Sequence, residues 1–206
     1  MSQLTDIIRR FVVNYFKPMP KKHVAICVGH SRSGDKGASN VLGIYEWHFN
    51  RPLADSVAEL IRDSGHMASV ISQYAGNSYG TAMADVAKQI KTICADVAIE
   101  LHFNSASSAS ATGFEFLCWH SSKRSNELAT CMQKAFQKAF PDQRDRGVKL
   151  NTPSDRGSRF LQETHCPAVI CEPFFGSNPK DTAFFYEHRE ELARAYADGI
   201  LDWLST

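Results

Sequence analysis

No stretch of this chain approaches the roughly 18 consecutive apolar residues of a membrane-spanning helix, so a transmembrane segment is excluded. Neither sign of charge dominates. Lys and Arg number 23, Asp and Glu 22, and the formal net charge is +1. A nucleic-acid binder carries a basic excess and an acidic disordered chain the reverse, so the near-balance argues against both. There is no C-x-x-C pair among Cys27, Cys94, Cys118, Cys131, Cys166 and Cys171, which argues against a cysteine zinc site. Most of these cysteines fall inside expected strands and helices, and the chain is large for a disulfide scaffold. They read as reduced, buried small hydrophobes. Met1 to Pro20 does not read as a secretory signal, because Arg9 and Arg10 interrupt its apolar residues and no small-residue cleavage site follows. Internal repeats and low-complexity tracts are also absent, and the Ser- and Ala-rich Asn104 to Thr112 reads as a loop.

What is present is a chain of 206 residues, 43% hydrophobic, which is one domain with some extra and enough to bury a core without disulfides. The extra has an address. Leu4, Ile7, Ile8, Phe11, Val12, Tyr15 and Phe16 recur at helical spacing with Arg9, Arg10 and Asn14 opposite, and Pro18 and Pro20 end the segment. This amphipathic helix docks on the domain or on another copy, or lies on a membrane surface helped by Lys17, Lys21 and Lys22. The expected division is an extension over 1–21 and a globular domain over 22–206.

Beyond it, strands and helices alternate. His23 to Val28 reads as a buried strand, Pro52 to Ser64 as a helix stopped at Gly65, and Met67 to Tyr74 as a strand. Thr81 to Cys94 reads as a helix, and Asp96 to Phe103 and Gly113 to Trp119 as strands. A helix over Ser125 to Phe140, a strand over Ala168 to Phe174 and a helix over Thr182 to Leu204 complete the pattern. The expected fold is a single α/β domain with a mixed, mostly parallel central sheet flanked by helices on both faces. The two strands on either side of the Asn104 loop, with no helix between them, read as an antiparallel pair.

Three polar residues stand at strand ends, where sites of open α/β sheets form. His30 follows the first strand, His102 lies near the end of the third, and Glu172 lies in the last. Glu46 precedes the first long helix by a few residues. Two histidines and a glutamate with an open fourth position make a catalytic zinc ligand set, and a separate carboxylate can then serve as general base. By composition alone this is one choice among eight histidines.

The order of the motifs narrows it. Val28-Gly29-His30 followed by Gly34-Asp35-Lys36-Gly37-Ala38 resembles the opening motif of the zinc-dependent N-acetylmuramoyl-L-alanine amidases of the amidase-3 type. Glu46 with Asn50, Leu53 and Ala54 is similar to that family's E-x-x-x-N-x-x-L-A. Glu100-Leu101-His102-Phe103-Asn104-Ser105 resembles its S-x-H-x-N, with Gly113 as the glycine that follows. Pro167 to Asp181 resembles P-A-x-x-x-E-x-x-F-x-S-N-x-x-D, and the whole resemblance spans about residues 22 to 204. It implies one Zn²⁺ held by His30, Glu46 and His102, with Glu172 as the catalytic glutamate. The implied reaction cleaves the amide between N-acetylmuramic acid and L-alanine in peptidoglycan.

Some positions depart from the family pattern. His30 and Asp35 are 35 − 30 = 5 positions apart, one more than usual. Glu100 replaces a small residue. On a strand it shares a face with His102 and Asn104, so it either orients a ligand or is a solvated strand-end carboxylate. Ser72 to Asn77 lacks the family's arginine. Asn104 reads as a substrate contact or a loop cap. Arg32 and Lys36 read as contacts to an acidic stem peptide or as solubilising surface. Tyr45, Trp47, Phe49, Trp119, Phe174 and Phe175 line a groove or fill the core, and His48 is the extra histidine closest to the ligand set.

A compact amidase without a leader resembles a phage lysis enzyme that is made in the cytoplasm and reaches the wall after release. A bacterial enzyme exported by another route, or an effector delivered into a rival cell, fits the same features. Two readings of other classes stay open. One is a wall-binding module with inactive chemistry. The other is a zinc carboxypeptidase or amidohydrolase for small peptides, with Arg156 or Arg159 binding the carboxylate. Peptidoglycan is the expected partner, without nucleic acid and without stable membrane insertion.

Overall fold

The structure, a computed structural model, describes residues 20–32, 35–73, 75 and 78–206. The amphipathic helix expected over Leu4 to Phe16 lies outside the described residues. The elements run β1 (His23–Val28), α1 (Glu46–Asp63), β2 (Met67–Ile71), α2 (Tyr79–Thr92), β3 (Val97–Leu101) and β4 (Phe114–Trp119). They continue with α3 (Lys123–Ala139), β5 (Asp145–Asn151), α4 (Ser158–Glu163), β6 (Ala168–Glu172), α5 (Pro179–Glu187) and α6 (Arg189–Leu204). The six strands form one sheet in the order β2-β1-β3-β6-β4-β5. Strands β2, β1, β3 and β6 are mutually parallel, and β4 and β5 run together the opposite way. This is the expected mixed, mostly parallel sheet in a single α/β domain.

The expected pairing of β3 with β4 is corrected. The chain does reverse direction, but β4 pairs antiparallel with β6, which lies between it and β3. The wholly apolar Ala168-Val169-Ile170-Cys171 needs cover on both faces, which a central slot supplies. The edge strand β5 was not expected at all. In Asp145–Asn151 only Val148 and Leu150 are apolar, and Leu150 is exposed at the sheet edge. The helix read from Pro52 begins six residues earlier, at Glu46, and Pro52 lies inside it. The single helix read over Thr182 to Leu204 is two, broken at His188, whose ring Nδ1 lies 2.9 Å from the carbonyl oxygen of Phe184.

Alternation along the strands builds two cores. Val24, Ile26 and Val28 with Val97, Ile99, Leu101, Phe116 and Cys171 meet α1, α3 and α6 on one face. Ala25, Cys27, Ala98, Ala168 and Ile170 meet Met83, Val86 and Ile90 of α2 and Phe160 and Leu161 of α4 on the other. All six cysteines are free, with Cys27, Cys118 and Cys171 buried as expected and Cys94 exposed. No helix among the described residues is long and apolar enough to cross a membrane.

Candidate active site

Strand order leaves β1 in both directions, to β2 and to β3, so the carboxyl ends of β1 and β3 flank a crevice open to a ligand. His30 turns into it just past β1, in the left-handed region at φ 64°. A side chain other than glycine held there is strained, and such strain gathers at functional sites. His102 enters from the end of β3, pinned by its N–H to the carbonyl of Cys171 at 3.1 Å. Its ring lies so close to Gly29 that a Cβ there would come within 2.3 Å of it. The glycine before His30 is thus required by the second histidine.

Glu46 is the first residue of α1 rather than a member of the preceding loop, which corrects its expected place. The first turn of a helix favours a carboxylate. Its Oε1 accepts from the Ala38 N–H at 2.8 Å and its Oε2 from the Phe103 N–H at 3.2 Å. One turn later Asn50 donates to the Leu101 carbonyl at 3.2 Å, fixing α1 against the end of β3. His102 Nδ1 lies 3.0 Å from Glu46 Oε2, and His30 Nε2 lies 3.5 Å from Oε1. One donor atom from each of His30, Glu46 and His102 lies within 4.8 Å of the others, so this group can hold a metal ion. The sequence-predicted ligand set is therefore brought together.

Behind each histidine stands a carboxylate. Asp35 Oδ2 is 3.1 Å from His30 Nδ1, and Glu100 Oε2 is 3.2 Å from His102 Nε2. Asp35 is exposed, whereas Glu100 is only 3% exposed, which rules out a solvated strand-end carboxylate. Burial disfavours the charged form of both rings. Even so, the contacts with Glu46 and Asp35 raise His30 above the usual histidine range, and Glu100 and Glu46 raise His102 well above it. Burial likewise works against the Glu46 charge, and the bonds from His102 and His30 overcome it and hold its carboxyl far below the usual range.

Glu172, the last residue of β6, behaves oppositely. Burial pushes its carboxyl up to about 8, with His102 opposing and Glu46, Glu115 and Glu100 adding to the rise. Its Oε2 is closed off from solvent and has no hydrogen-bond partner among the described residues. Neighbouring strands continue the pattern. Glu100 of β3, Glu172 of β6 and Glu115 of β4 all project from the α2 side of the sheet, and Glu115 is the direct cross-strand partner of Glu172. Converging nitrogen and oxygen donors, braced rings and an unpartnered carboxylate oxygen fit a divalent cation such as zinc.

Other expected residues fall elsewhere. Asn104 donates to Glu115 Oε1 at 2.7 Å and accepts from the Ser105 N–H at 2.9 Å, so both ends of its amide serve the protein. Arg32 is exposed on the loop after β1. Arg159 pairs with Glu163 on its own helix at 2.8 Å. Phe49, Phe174 and Phe175 are core, Trp47 is buried with its indole N–H on the Ser72 carbonyl, and Tyr45 is exposed with His48 beside it. Arg146 was missed because nothing marked β5 as a strand, and Glu115, on the expected strand β4, was missed because its partner Arg146 was not in view. Asn178 and Asp181 were visible only as motif letters. Asn178 caps α5, and Asp181 accepts from the Phe175 N–H at 3.1 Å and from the Thr112 hydroxyl at 2.7 Å, tying the loop after Glu172 to the domain.

Several solved structures share the fold. The catalytic domain of CwlV, an N-acetylmuramoyl-L-alanine amidase from Paenibacillus polymyxa, is 26% identical with a TM-score of 0.76, over 89% of this chain and 98% of that one. An N-acetylmuramoyl-L-alanine amidase from Clostridium difficile 630 is 25% identical with a TM-score of 0.76, over 90% and 98%. The catalytic domain of the CD27L endolysin, which targets Clostridium difficile, is 26% identical with a TM-score of 0.75, over 88% and 97%. Comparison with curated proteins returned no match. The profile of the amidase-3 type of N-acetylmuramoyl-L-alanine amidase matches residues 24–202, nearly the whole described domain, and the chain belongs to that family.

Proposed function

We propose that this chain is a zinc-dependent peptidoglycan hydrolase. It cleaves the amide between the lactyl group of N-acetylmuramic acid and the L-alanine of the stem peptide. The observation that carries this reading is the convergence of His30, Glu46 and His102 beside the unpartnered Glu172 Oε2. Family membership supplies the substrate class. One zinc ion would be held by those three side chains, and when bound it supplies polarisation of the amide carbonyl and a lowered pKa for water.

The remaining work belongs to the protein. Glu172 takes the proton of the attacking water at its free oxygen and passes it to the departing alanine nitrogen. Asp35 and Glu100 accept from the outward nitrogens of His30 and His102, which turns the other nitrogen of each ring toward the metal. Asn104 holds Glu115 in place next to Glu172. Arg32, on the exposed loop after β1, contacts the acidic peptide. Residues 22–206 form the catalytic domain, 1–21 an extension, and the enzyme acts on the cell wall in lysis or remodelling.

The test is Glu172→Ala. We expect it to retain zinc by elemental analysis and to lose about 10²–10⁴-fold in turnover, the usual contribution of a general acid–base group. Full activity in the variant would remove Glu172 from this role.

A further inference from the structure

The row of carboxylates on the α2 side of the sheet ends in a cation. In the pairing of β4 with β5, Phe114 faces Asp145 but Phe116 faces Val148, so Arg146 and Gly147 together stand opposite Glu115. This is a β-bulge, a device that re-aims a side chain and is frequent beside active sites. It is firmly built. Gly147 takes φ 84°, a value that favours glycine, and its N–H donates to Asp145 Oδ1 at 2.7 Å. Asp145 Oδ2 in turn accepts from Gln133 at 2.6 Å and from Gln137 at 2.5 Å, both on α3.

The bulge aims Arg146 at Glu115. Its Nε donates to Glu115 Oε2 at 2.8 Å, and its guanidinium lies over the Phe175 ring, 4.9 Å from the centroid. Glu115 Oε1 is taken by Asn104, so the carboxylate is filled from both sides. The terminal nitrogens of Arg146 have no partner among the described residues, and neither is closed off from solvent. The result is a planar cation clamped by one edge and one face, with its other edge open, adjacent to the strand pair that carries Glu172. A salt bridge serving stability alone would not need a bulge to leave the forked edge of the arginine free. That edge matches a carboxylate bidentately.

We infer that Arg146 is a specificity residue that binds a carboxylate of the substrate's peptide moiety. This rests on the amidase reading and names which part of the substrate the site recognises. Stem peptides carry, on the residue after L-alanine, either a free α-carboxylate or its amide, and Arg146 prefers the former.

The experiment uses the full chain with zinc and two soluble muramoyl peptides that differ only in carboxylate or carboxamide at that residue. The wild type should show a KM for the carboxylate about tenfold or more lower, since charge-assisted hydrogen bonds are the strong ones. In Arg146→Gln the KM ratio should collapse toward one, and in Arg146→Lys, which keeps the charge without the fork, it should fall in between. An equal KM for both peptides in the wild type overturns the assignment without any variant, so a variant that fails to fold cannot protect it. An unchanged ratio in Arg146→Gln overturns it too, while leaving the amidase reading intact. Cleavage of neither peptide by the zinc-loaded wild type overturns the amidase reading and the Arg146 assignment with it.

Discussion

Glu100 is a buried carboxylate and Glu172, one strand away, has its Oε2 closed off from solvent, yet their surroundings give them different work. Glu100 has a ring nitrogen to receive, and Glu172 Oε2 has none. For Glu172 the consequence is a pH dependence of its own. Its folded carboxyl is raised to about 8 from an ordinary 4.5. Between those values the unfolded chain has released the proton and the folded chain still holds it. The contribution of Glu172 to the stability of the metal-free protein therefore falls as pH rises from about 4.5 and levels off above about 8. We predict that chelator-treated Glu172→Gln gains in melting temperature over the wild type, with a difference that grows from pH 5 to pH 8. A constant difference would contradict the raised value. For Glu100 the expectation concerns the metal. Replacing a carboxylate that orients a ligand costs 10–100-fold in affinity, so Glu100→Ser should weaken zinc binding by about that factor in competition with a chelator. Glu100→Asp should recover part of the loss. Unaltered affinity in Glu100→Ser would leave Glu100 without a role toward His102.

At the scale of elements, the site is the meeting of four ends: β1, β3, β6 and the first turn of α1. The loop that follows the end of β6 is fixed by side-chain bonds that the sequence states only indirectly, and Asn178 is an example. It accepts from the N–H groups of Lys180 and Asp181 at the start of α5, and its amide donates to the Ala111 carbonyl at 3.0 Å across the loop before β4. Asn178→Ala should cost about 1 kcal/mol as the loss of a helix cap, with more if the Ala111 bond adds to it, measured by chemical denaturation. An unchanged midpoint would mean the loop is held without it.

The same scale shows what was legible. Strands β1, β3 and β6 are near-continuous apolar runs, because a parallel strand covered on both faces has no polar side to alternate with, and they were readable. Strand β5 is an edge with a bulge and a glycine in its middle, and both features erase the period-two pattern by which strands are recognised. With β5 went Arg146 and the reason for Glu115. Pro52 reads as a helix start, since a proline at the first helical position needs no N–H donor. Here it lies in the interior, which moved the expected start past Glu46 and left that residue in a loop. The grouping of Glu46 with His30 and His102 does not depend on that boundary, because the spacing from Glu46 to Asn50 holds on a helix whether or not its start is recognised.

Across the whole molecule, the sheet divides labour between its faces. The α1, α3 and α6 side is an apolar core with aromatic packing around Phe116, Phe136 and Tyr196. The α2 and α4 side carries the smaller core and, at the strand ends, the row Glu100, Glu172, Glu115 and Arg146. Three acids and one arginine in a row leave local negative charge, which a divalent cation held beside Glu46 would offset. The chain as a whole is nearly neutral at +1, so it has little general attraction to an anionic wall. On the proposed reading, what this domain itself contributes to recognition is the crevice around the site. The account's central claim is tested most directly by digesting purified peptidoglycan with the zinc-loaded protein and with the chelated protein, and identifying the products by mass spectrometry. We predict peptides with a free L-alanine amino terminus, no new reducing sugar ends, and no release after chelation. Cleavage at a glycosidic bond or within the peptide, or the same products without metal, would contradict it.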